Sequence, residues 1–196
     1  MEPLISVIVN CYNSEKYLKD TLESVINQNY KNFEIIIWDN QSQDNTKKIV
    51  KNFNDKRINY FYSPEHTNLS TARHNAILKS KGEWFAFLDS DDIWEKSMLL
   101  NHYKILKKDE NIELSFSNCN IISNEYKKLE NKNIFLEKYL MERKNLYNLL
   151  LKGNFIYISS VIFKKKLYFN NNYINCSLEF AEDYDLLLKY SKSCKY

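Results

Sequence analysis

The chain is organised around the stretch Trp84-Phe85-Ala86-Phe87-Leu88-Asp89-Ser90-Asp91-Asp92. Its five leading residues are apolar and come shortly after Gly82, which predicts a strand that is buried on both faces of a sheet. Three carboxylates stand where this strand reaches the surface, and they repel one another unless a cation or hydrogen-bond donors hold them. Because Mg²⁺ and Mn²⁺ prefer carboxylate and phosphate oxygens, the pattern indicates a cation-diphosphate site at the carboxyl end of the strand. The alternative is a solvated acidic turn in which Asp92 caps a following helix.

The composition is typical of a soluble globular domain. A length of 196 residues predicts a single domain, 1–196, with a sizeable core, and 44% of the residues are hydrophobic. The net charge of +3 is small and the lysines are dispersed, so we expect no nucleic-acid partner. No apolar run is long enough to cross a bilayer, and the first residues lack the basic start of a secretion signal.

The numbers and positions of the cysteines and glycines exclude several kinds of binding site. The four cysteines lie far apart and form no C-x-x-C pair, which argues against a zinc site or a disulfide framework and predicts free thiols in a reducing cytoplasm. The chain has only two glycines, so it lacks a Gly-rich phosphate-binding loop. If it binds a nucleotide, side chains and a metal must supply most of the binding.

Strand and helix patterns alternate through the first half of the chain. Apolar, β-branched runs predict strands at 4–9, 33–38 and 57–62, ahead of the strand at 84–88. Helical periodicity predicts helices at 15–28, with Ser14 as N-cap, from 44 or 45 to 53, and at 68–80. This order is typical of a Rossmann-like, three-layer α/β/α fold with a mostly parallel central sheet.

The expected topology brings polar residues from distant segments together. Right-handed crossovers would place the carboxyl ends of all parallel strands at one edge of the sheet. Residues 10–13, Asp39 and 89–92 would meet there, and Arg73 would reach the same edge from the third helix. A sheet needs no such gathering of charge for its stability, so the arrangement indicates a binding site.

The second half of the chain has weaker patterns. We expect helices at 97–107 and within 129–151, and a last helix from Glu182. Strands are expected at 112–117 and 156–163, with a second piece of sheet at 118–124. The lysines at 164–166 and the asparagines at 170–172 are expected to be solvated turns.

Several segments match a known order of motifs. They are 6–13, 33–42, 69–75, 81–83 leading into 87–92, and 182–185. With this order and spacing, the chain resembles the family 2 glycosyltransferases of the GT-A fold over essentially its whole length. The resemblance implies a GT-A type α/β fold with a nucleotide-binding half at about 1–95 and an acceptor-side half at about 96–196.

The resemblance also implies roles for individual residues. The nucleotide would be bound by Asn10, Cys11, Tyr12, Asp39, Arg73, Asp89 and Ser90. In this group, Asp39 would face the uracil or ribose, and the guanidinium of Arg73 would suit the diphosphate. Asp89 and Asp91 match the D-x-D pair and would hold Mg²⁺ or Mn²⁺, which neutralises the departing nucleoside diphosphate. Asp183 would be the general base that deprotonates the acceptor hydroxyl.

Each of these residues also has a purely structural explanation. Asp39 could end its strand in an Asx turn, and Arg73 could be an exposed, unpaired helix residue. Glu182 and Asp183 would suit the first turn of any helix, where acids interact well with the dipole.

The implied activity is an inverting, metal-dependent transfer of a sugar from a nucleotide sugar, expected to be UDP-linked. The acceptor would be a hydroxyl of a glycan or lipid-linked glycan in surface polysaccharide synthesis. Such an acceptor places the enzyme in the cytoplasm or peripherally at the inner membrane; the sequence predicts no oligomeric state. The alternative is a catalytically weak nucleotide-sugar-binding or assembly module. A phosphatase with Asp89 as nucleophile is disfavoured, because that class carries its acid pair on an early strand.

The chain departs from the pattern of the family in three places. Pro-Thr or a similar pair usually precedes Tyr-Asn, and Asn10-Cys11 stands there in this chain. Where Asp-Asp-Gly-Ser is common, it has Asp39-Asn40-Gln41-Ser42, and we expect Asn40 to tolerate the left-handed backbone that glycine would ease. The sequence also ends at Tyr196, soon after Asp183, which is expected of either a natural short form or a fragment of a longer enzyme.

Overall fold

The computed structural model describes residues 2–123, 145–170, 174–194 and 196. Six strands are found in this part of the chain: β1 (Ile5–Cys11), β2 (Phe33–Asp39), β3 (Ile58–Tyr62), β4 (Trp84–Phe87), β5 (Leu114–Phe116) and β6 (Val161–Lys164). The helices described are α1 (Leu18–Ile26), α2 (Thr46–Asn52), α3 (Leu69–Leu78), α4 (Met98–Lys108), α5 (Leu146–Leu150), α6 (Lys165–Asn170) and α7 (Glu182–Ser193). A single 3-10 turn spans Ile158–Ser160.

The strands form one mixed sheet in the order β3-β2-β1-β4-β6-β5. The pairs β2–β3, β1–β2 and β1–β4 are parallel, whereas β6 runs antiparallel to both β4 and β5. The predicted α/β fold with a mostly parallel central sheet is thus confirmed, and its antiparallel part comes from the second half of the chain.

Two apolar cores cover the two faces of the sheet. Successive residues of β2 alternate between them: Ile36 packs with Ala76 of α3 and Leu187 of α7. Ile35 and Ile37 belong to the opposite core, which contains residues of α1 and α4. Since both faces of the central strands are buried, their sequences are continuously apolar rather than alternating.

The sequence-based elements are confirmed through β4, with small shifts at their ends. The helix predicted at 15–28 begins at Leu18, and Ser14 does not cap it with its side chain. The predicted capping role of Asp92 is wrong, because α4 begins only at Met98 and has Ser97 at its N-cap. The left-handed residue expected at Asn40 is Gln41, with φ of 70°.

Three predictions for the second half need correction. The strand predicted at 156–163 is a 3-10 turn followed by the short strand β6; Ser160 donates its hydroxyl to the carbonyl of Tyr157 at 2.7 Å. Such local bonds compete with a strand ladder. The turn predicted at 164–166 is largely α6, because Leu167 and Tyr168 are buried against the sheet. Between 118 and 123, the expected second piece of sheet is reduced to a single bridge residue, Ile122.

Part of the helix predicted at 129–151 lies outside the described residues, and its end is α5. Within the described residues, no helix has the length and apolar character needed to cross a membrane.

The loops at the carboxyl ends of β1, β2 and β4 are bonded to one another. The Asn13 amide donates to Ser42 Oγ at 2.9 Å, and the Asn40 amide donates to the carbonyl of Cys11 at 2.8 Å. The hydroxyls of Ser14 and Ser90 are 2.8 Å apart. The predicted meeting of these segments at one edge of the sheet is therefore confirmed.

Candidate active site

Asp39 ends β2 and is completely buried. Its Oδ1 accepts the Ser42 amide at 2.7 Å, which is the Asx-type turn that the sequence allowed, and its Oδ2 accepts the Tyr60 hydroxyl at 2.6 Å. Burial and the bond to Asp39 raise the pKa of Tyr60, so this hydroxyl stays protonated and donates. The contact of Asp39 with a ligand stays a prediction, since each of its oxygens already has a partner.

Asn10 and Cys11 lie beside Asp39 at the end of β1. The Nδ2 atom of Asn10 is buried and has no hydrogen-bond partner among the described residues. An unused buried donor is uncommon, and it suits the carbonyl of an incoming ligand. The Cys11 thiol is buried, and burial followed by the charge of Asp39 raises its pKa. A contact of Cys11 with the nucleotide stays a prediction.

Tyr12 is exposed and packs against a residue that the sequence analysis did not select. Its ring centroid lies 4.4 Å from that of His66, at an interplanar angle of 51°. Asn40 holds the loop of His66 in place. The Nδ2 atom of Asn40 donates to the carbonyl of Thr67 at 2.7 Å, and the carbonyl oxygen of Asn40 lies 2.9 Å from His66 Nδ1. The sequence offered no signal for His66, because this contact spans two loops.

The loop after β4, residues 89–92, contains three aspartates and is called the acidic loop here; other segments hold it from two sides. Ser159 Oγ accepts the Asp89 amide at 3.1 Å and donates to Asp92 Oδ2 at 2.5 Å. On the other side, Thr21 donates its hydroxyl to the carbonyl of Ser90 at 2.9 Å. Asp91 is exposed, and no described residue forms a hydrogen bond or ion pair with it.

The three carboxylates of this loop influence one another. Burial raises the pKa of Asp92, although part of its side chain faces solvent, and the negative charges of Asp89 and Asp91 add to the rise. The hydrogen bond from Ser159 acts in the opposite direction. The loop therefore holds more negative charge than its own donors compensate.

Arg73 is buried on α3 and binds two carboxylates. Its Nη2 donates to Asp89 Oδ1 at 2.6 Å, and its Nη1 donates to Glu182 Oε1. The side chain of Arg73 is 4% exposed, so the alternative of an exposed, unpaired arginine is wrong. The direct contact of Arg73 with the nucleotide stays a prediction; the structure adds a connection from Arg73 to the acidic loop.

Asp183 lies in the first turn of α7, next to Glu182. Its Oδ1 accepts the amide of Tyr184 at 2.8 Å, and its side chain is partly exposed. Glu182 and Asp89 bind the same guanidinium, that of Arg73. Asp183, the next residue after Glu182, is therefore adjacent to a chain of ion pairs that leads to the acidic loop. The sequence pattern predicts for Glu182 only a place in the first turn of a helix, since its partner Arg73 is 109 positions away.

A divalent cation fits the donor set of the acidic loop only in part. In the residues described, no group of three or more His, Cys, Asp or Glu side chains could hold a metal ion. Asp89 and Asp91 offer carboxylate oxygens of the kind that Mg²⁺ and Mn²⁺ prefer, and those ions commonly take their remaining ligands from substrate phosphates and water. The residues therefore suit a cation that arrives with a diphosphate.

The chain is similar to known proteins in both sequence and structure. A family model described as Glycosyl transferase family 2 matches residues 6–168. The chain is 32% identical over 189 residues to the UDP-Glc:alpha-D-GlcNAc-diphosphoundecaprenol beta-1,3-glucosyltransferase WfgD of Escherichia coli. That alignment covers 96% of this chain and 70% of WfgD.

Two solved structures share the fold. TarS 1-349 of S. aureus in complex with UDP-GlcNAc has a TM-score of 0.69 and 24% identity, and the match covers 95% of this chain and 53% of that chain. The mannosyltransferase PcManGT from Pyrobaculum calidifontis, in complex with GDP-Man and Mn²⁺, has a TM-score of 0.71 and 19% identity, with 95% and 51% covered. This chain thus spans about half the length of each solved chain, and at these identities the likeness extends to the fold.

Proposed function

The chain belongs to glycosyl transferase family 2, and on that premise we propose that it transfers a sugar from a nucleotide sugar to a hydroxyl group of a glycan acceptor. One observation carries the proposal: Arg73 joins Asp89 of the acidic loop to Glu182 at the start of α7. Residues from the two halves of the chain thereby meet at one edge of the sheet, and this supports the proposal because open α/β sheets bind ligands at that position.

The donor is proposed to be a UDP-sugar. In support, the WfgD enzyme is named for UDP-Glc and TarS was solved with UDP-GlcNAc. The uracil would lie between Tyr12 and the end of β2, where Asn10 Nδ2 offers an unused donor and Asp39 is close by. The diphosphate would extend toward Ser90 and the acidic loop, within reach of the charge of Arg73.

Asp89 and Asp91 are proposed to hold Mg²⁺ or Mn²⁺. When bound, such a cation neutralises negative charge on the diphosphate that leaves. The exposed carboxylate of Asp91 and the 41% exposed side chain of Asp89 are open to a ligand from solvent, and PcManGT was solved with Mn²⁺. Ser159 keeps the loop in position by binding the Asp89 amide and Asp92.

Asp183 is proposed to be the general base. One of its oxygens is held by the Tyr184 amide, which orients the carboxylate, and the other has no hydrogen-bond partner among the described residues. That oxygen would take the proton of the acceptor hydroxyl as its oxygen attacks the anomeric carbon. A single in-line displacement inverts the configuration at that carbon and requires no covalent intermediate.

The acceptor is proposed to be a lipid-linked glycan of a surface polysaccharide. WfgD is named for a diphosphoundecaprenol-linked sugar and matches almost the whole of this chain. An acceptor on a lipid carrier would place the reaction on the cytoplasmic side of the membrane, with the enzyme in the cytoplasm or bound peripherally.

Two variants and a binding series test this function. UDP is titrated with and without Mn²⁺, and release of UDP from UDP-, GDP-, dTDP- and CMP-sugars is measured with and without acceptor. Asp91→Ala should lose the Mn²⁺-dependent part of UDP binding, whereas Asp183→Asn should bind UDP normally and lose transfer. Unchanged binding in the first variant, or full transfer in the second, would remove these roles. If the unmodified chain binds UDP and turns over no donor, it is a binding module.

A further inference from the structure

We propose that Glu182 is a positioning residue, which fixes the helix of the general base against the acidic loop through Arg73. The inference rests on the proposed function, since it assigns a purpose to the place of Asp183. It concerns a contact between three segments that lie far apart in the sequence.

The start of α7 is not fixed by its own sequence. The residue before the helix, Ala181, has a left-handed backbone with φ of 57° and ψ of 27°, and it offers no side-chain cap. A non-glycine residue in this region stores strain and keeps its conformation only when its surroundings hold it there. Contacts from outside the helix must therefore determine where Asp183 lies.

Those contacts come from α3, from the residue that precedes it and from α5, where the carbonyl of Leu150 accepts the Tyr184 hydroxyl. Asn68 Nδ2 donates to the carbonyl of Cys176 at 2.9 Å, and Ser70 Oγ donates to the carbonyl of Leu178 at 2.8 Å. Arg73, one turn further along the helix, binds Glu182. The bonds of Asn68 and Ser70 hold the segment before α7, whereas those of Arg73 and Tyr184 hold the first turn of the helix itself. The bond of Arg73 also ties that turn to the acidic loop.

The bond between Arg73 and Glu182 is buried, which gives it a fixed geometry. The two side chains are 4% and 7% exposed. A buried arginine and carboxylate that lose each other leave an uncompensated charge, so neither side chain can turn away without a large cost. Arg73 also binds Asp89, so the planar guanidinium sets the distance between the acidic loop and α7.

Glu182 acts on the reaction only through position. Its carboxylate is turned to Arg73, whereas the next residue, Asp183, carries the carboxylate proposed to meet the acceptor. Loss of the Glu182 charge should therefore displace the base without removing any group proposed to bind the donor. A displacement of about 1 Å can lower a rate on the order of a hundredfold.

The test compares Glu182→Gln with the matched control Asp185→Asn. Asp185 lies in the same helical turn, and its Oδ2 is 2.6 Å from Lys189 Nζ in a pair whose side chains are 33% (Lys189) and 31% (Asp185) exposed. Its variant removes one carboxylate from α7 and leaves Arg73 untouched. Transfer kinetics, UDP affinity with Mn²⁺ and amide hydrogen exchange are measured for both variants and for the unmodified chain. Exchange reports directly on whether α7 is held.

In Glu182→Gln we expect faster exchange in residues 176–186, a kcat lowered about tenfold or more, and a UDP affinity and donor KM within about twofold. In Asp185→Asn we expect no change in any of these quantities. Unchanged exchange in Glu182→Gln would overturn the anchoring, and faster exchange with an unchanged kcat would overturn the positioning role. If the unmodified chain releases UDP from no donor, the proposed function fails, and the exchange data still decide whether Glu182 anchors the helix.

Discussion

The polar groups at the two ends of the parallel strands differ in burial and in hydrogen bonding. At the amino end, Glu34 Oε1 accepts the Ser6 hydroxyl and the Lys81 amide, both at 2.6 Å, and Ser6 Oγ accepts the Gly82 amide at 2.9 Å. Glu34 is 7% exposed and Ser6 is fully buried. This network is closed, because its members bind one another and solvent is excluded.

At the carboxyl end, the side chains of the acidic loop are exposed to solvent to a much larger extent. Asp91 is exposed without a partner among the described residues, and the side chain of Asp89 is 41% exposed although Arg73 binds it. Since polar groups that serve only stability are normally buried and paired, the difference separates a structural end of the sheet from a binding end. Two sets of buried polar groups are closed within this open end: Arg73 with Glu182, and Asp39 with Tyr60 and Ser42.

The largest effect on stability is expected at the pair of Arg73 and Glu182. Arg73→Met should lower the free energy of unfolding by about 3–5 kcal/mol, because Glu182 would stay buried without its positive partner. Urea unfolding followed by circular dichroism measures the loss. A loss below about 1 kcal/mol would mean that the pair behaves like a surface salt bridge and that the carboxyl end contains no structural core.

A slightly smaller loss of stability is expected for a change at the amino end of the strands. In Gly82→Ala, the new Cβ would lie 2.6 Å from Ser6 Oγ and 2.8 Å from the carbonyl of Leu4. The backbone must move, which should lower the free energy of unfolding by about 2–3 kcal/mol and leave the UDP affinity of the folded protein unchanged.

The neighbouring variant Glu83→Ala is the control, because Glu83 is exposed and its hydrogen bonds with Leu4 and Lys165 are made by its backbone. It should stay within about 0.5 kcal/mol of the unmodified chain. Equal stability of Gly82→Ala and Glu83→Ala would show that the amino end tolerates change as well as the carboxyl end does.

Tyr60→Phe should have an intermediate effect. It removes the hydroxyl that donates to Asp39 Oδ2 and leaves a fully buried carboxylate oxygen without its donor, at a cost of about 1–2 kcal/mol. Thermal and urea unfolding measure the change, with Tyr62→Phe as the control on the same strand, since Tyr62 is 50% exposed. If both variants are equally stable, the carboxylate of Asp39 does not depend on Tyr60 and is free to meet a ligand.

The smallest effect on stability is expected at the most open residue. Asp91→Ala should change the free energy of unfolding by less than about 0.5 kcal/mol, because the side chain is exposed and unpaired among the described residues. The same variant should lose the Mn²⁺-dependent part of UDP binding, which a titration at matched ionic strength measures. A large loss of stability here would mean that the acidic loop is a structural element, and the contrast between the two ends would disappear.

The sequence alone predicted the sheet and the place of the site. Continuous apolar runs such as 84–88 can be satisfied only when both faces of a strand are covered, so their order predicted the layers. The acids at the ends of these runs had to meet at one edge, because parallel strands share a direction. The grouping of Asp39 with residues 89–92 followed from this periodicity and topology.

Only the tertiary structure decided the partners of the individual charges and the course of the second half. Arg73 could have pointed to solvent or to a ligand; it binds Glu182 because α3 and α7 contribute to the same apolar core on one face of the sheet. Likewise, the turn at Ile158–Ser160 replaces a strand because Ser159 binds the acidic loop. Local patterns determine which residues are buried, whereas the pairing of buried polar groups depends on segments a hundred positions apart, whose encounter no local pattern encodes.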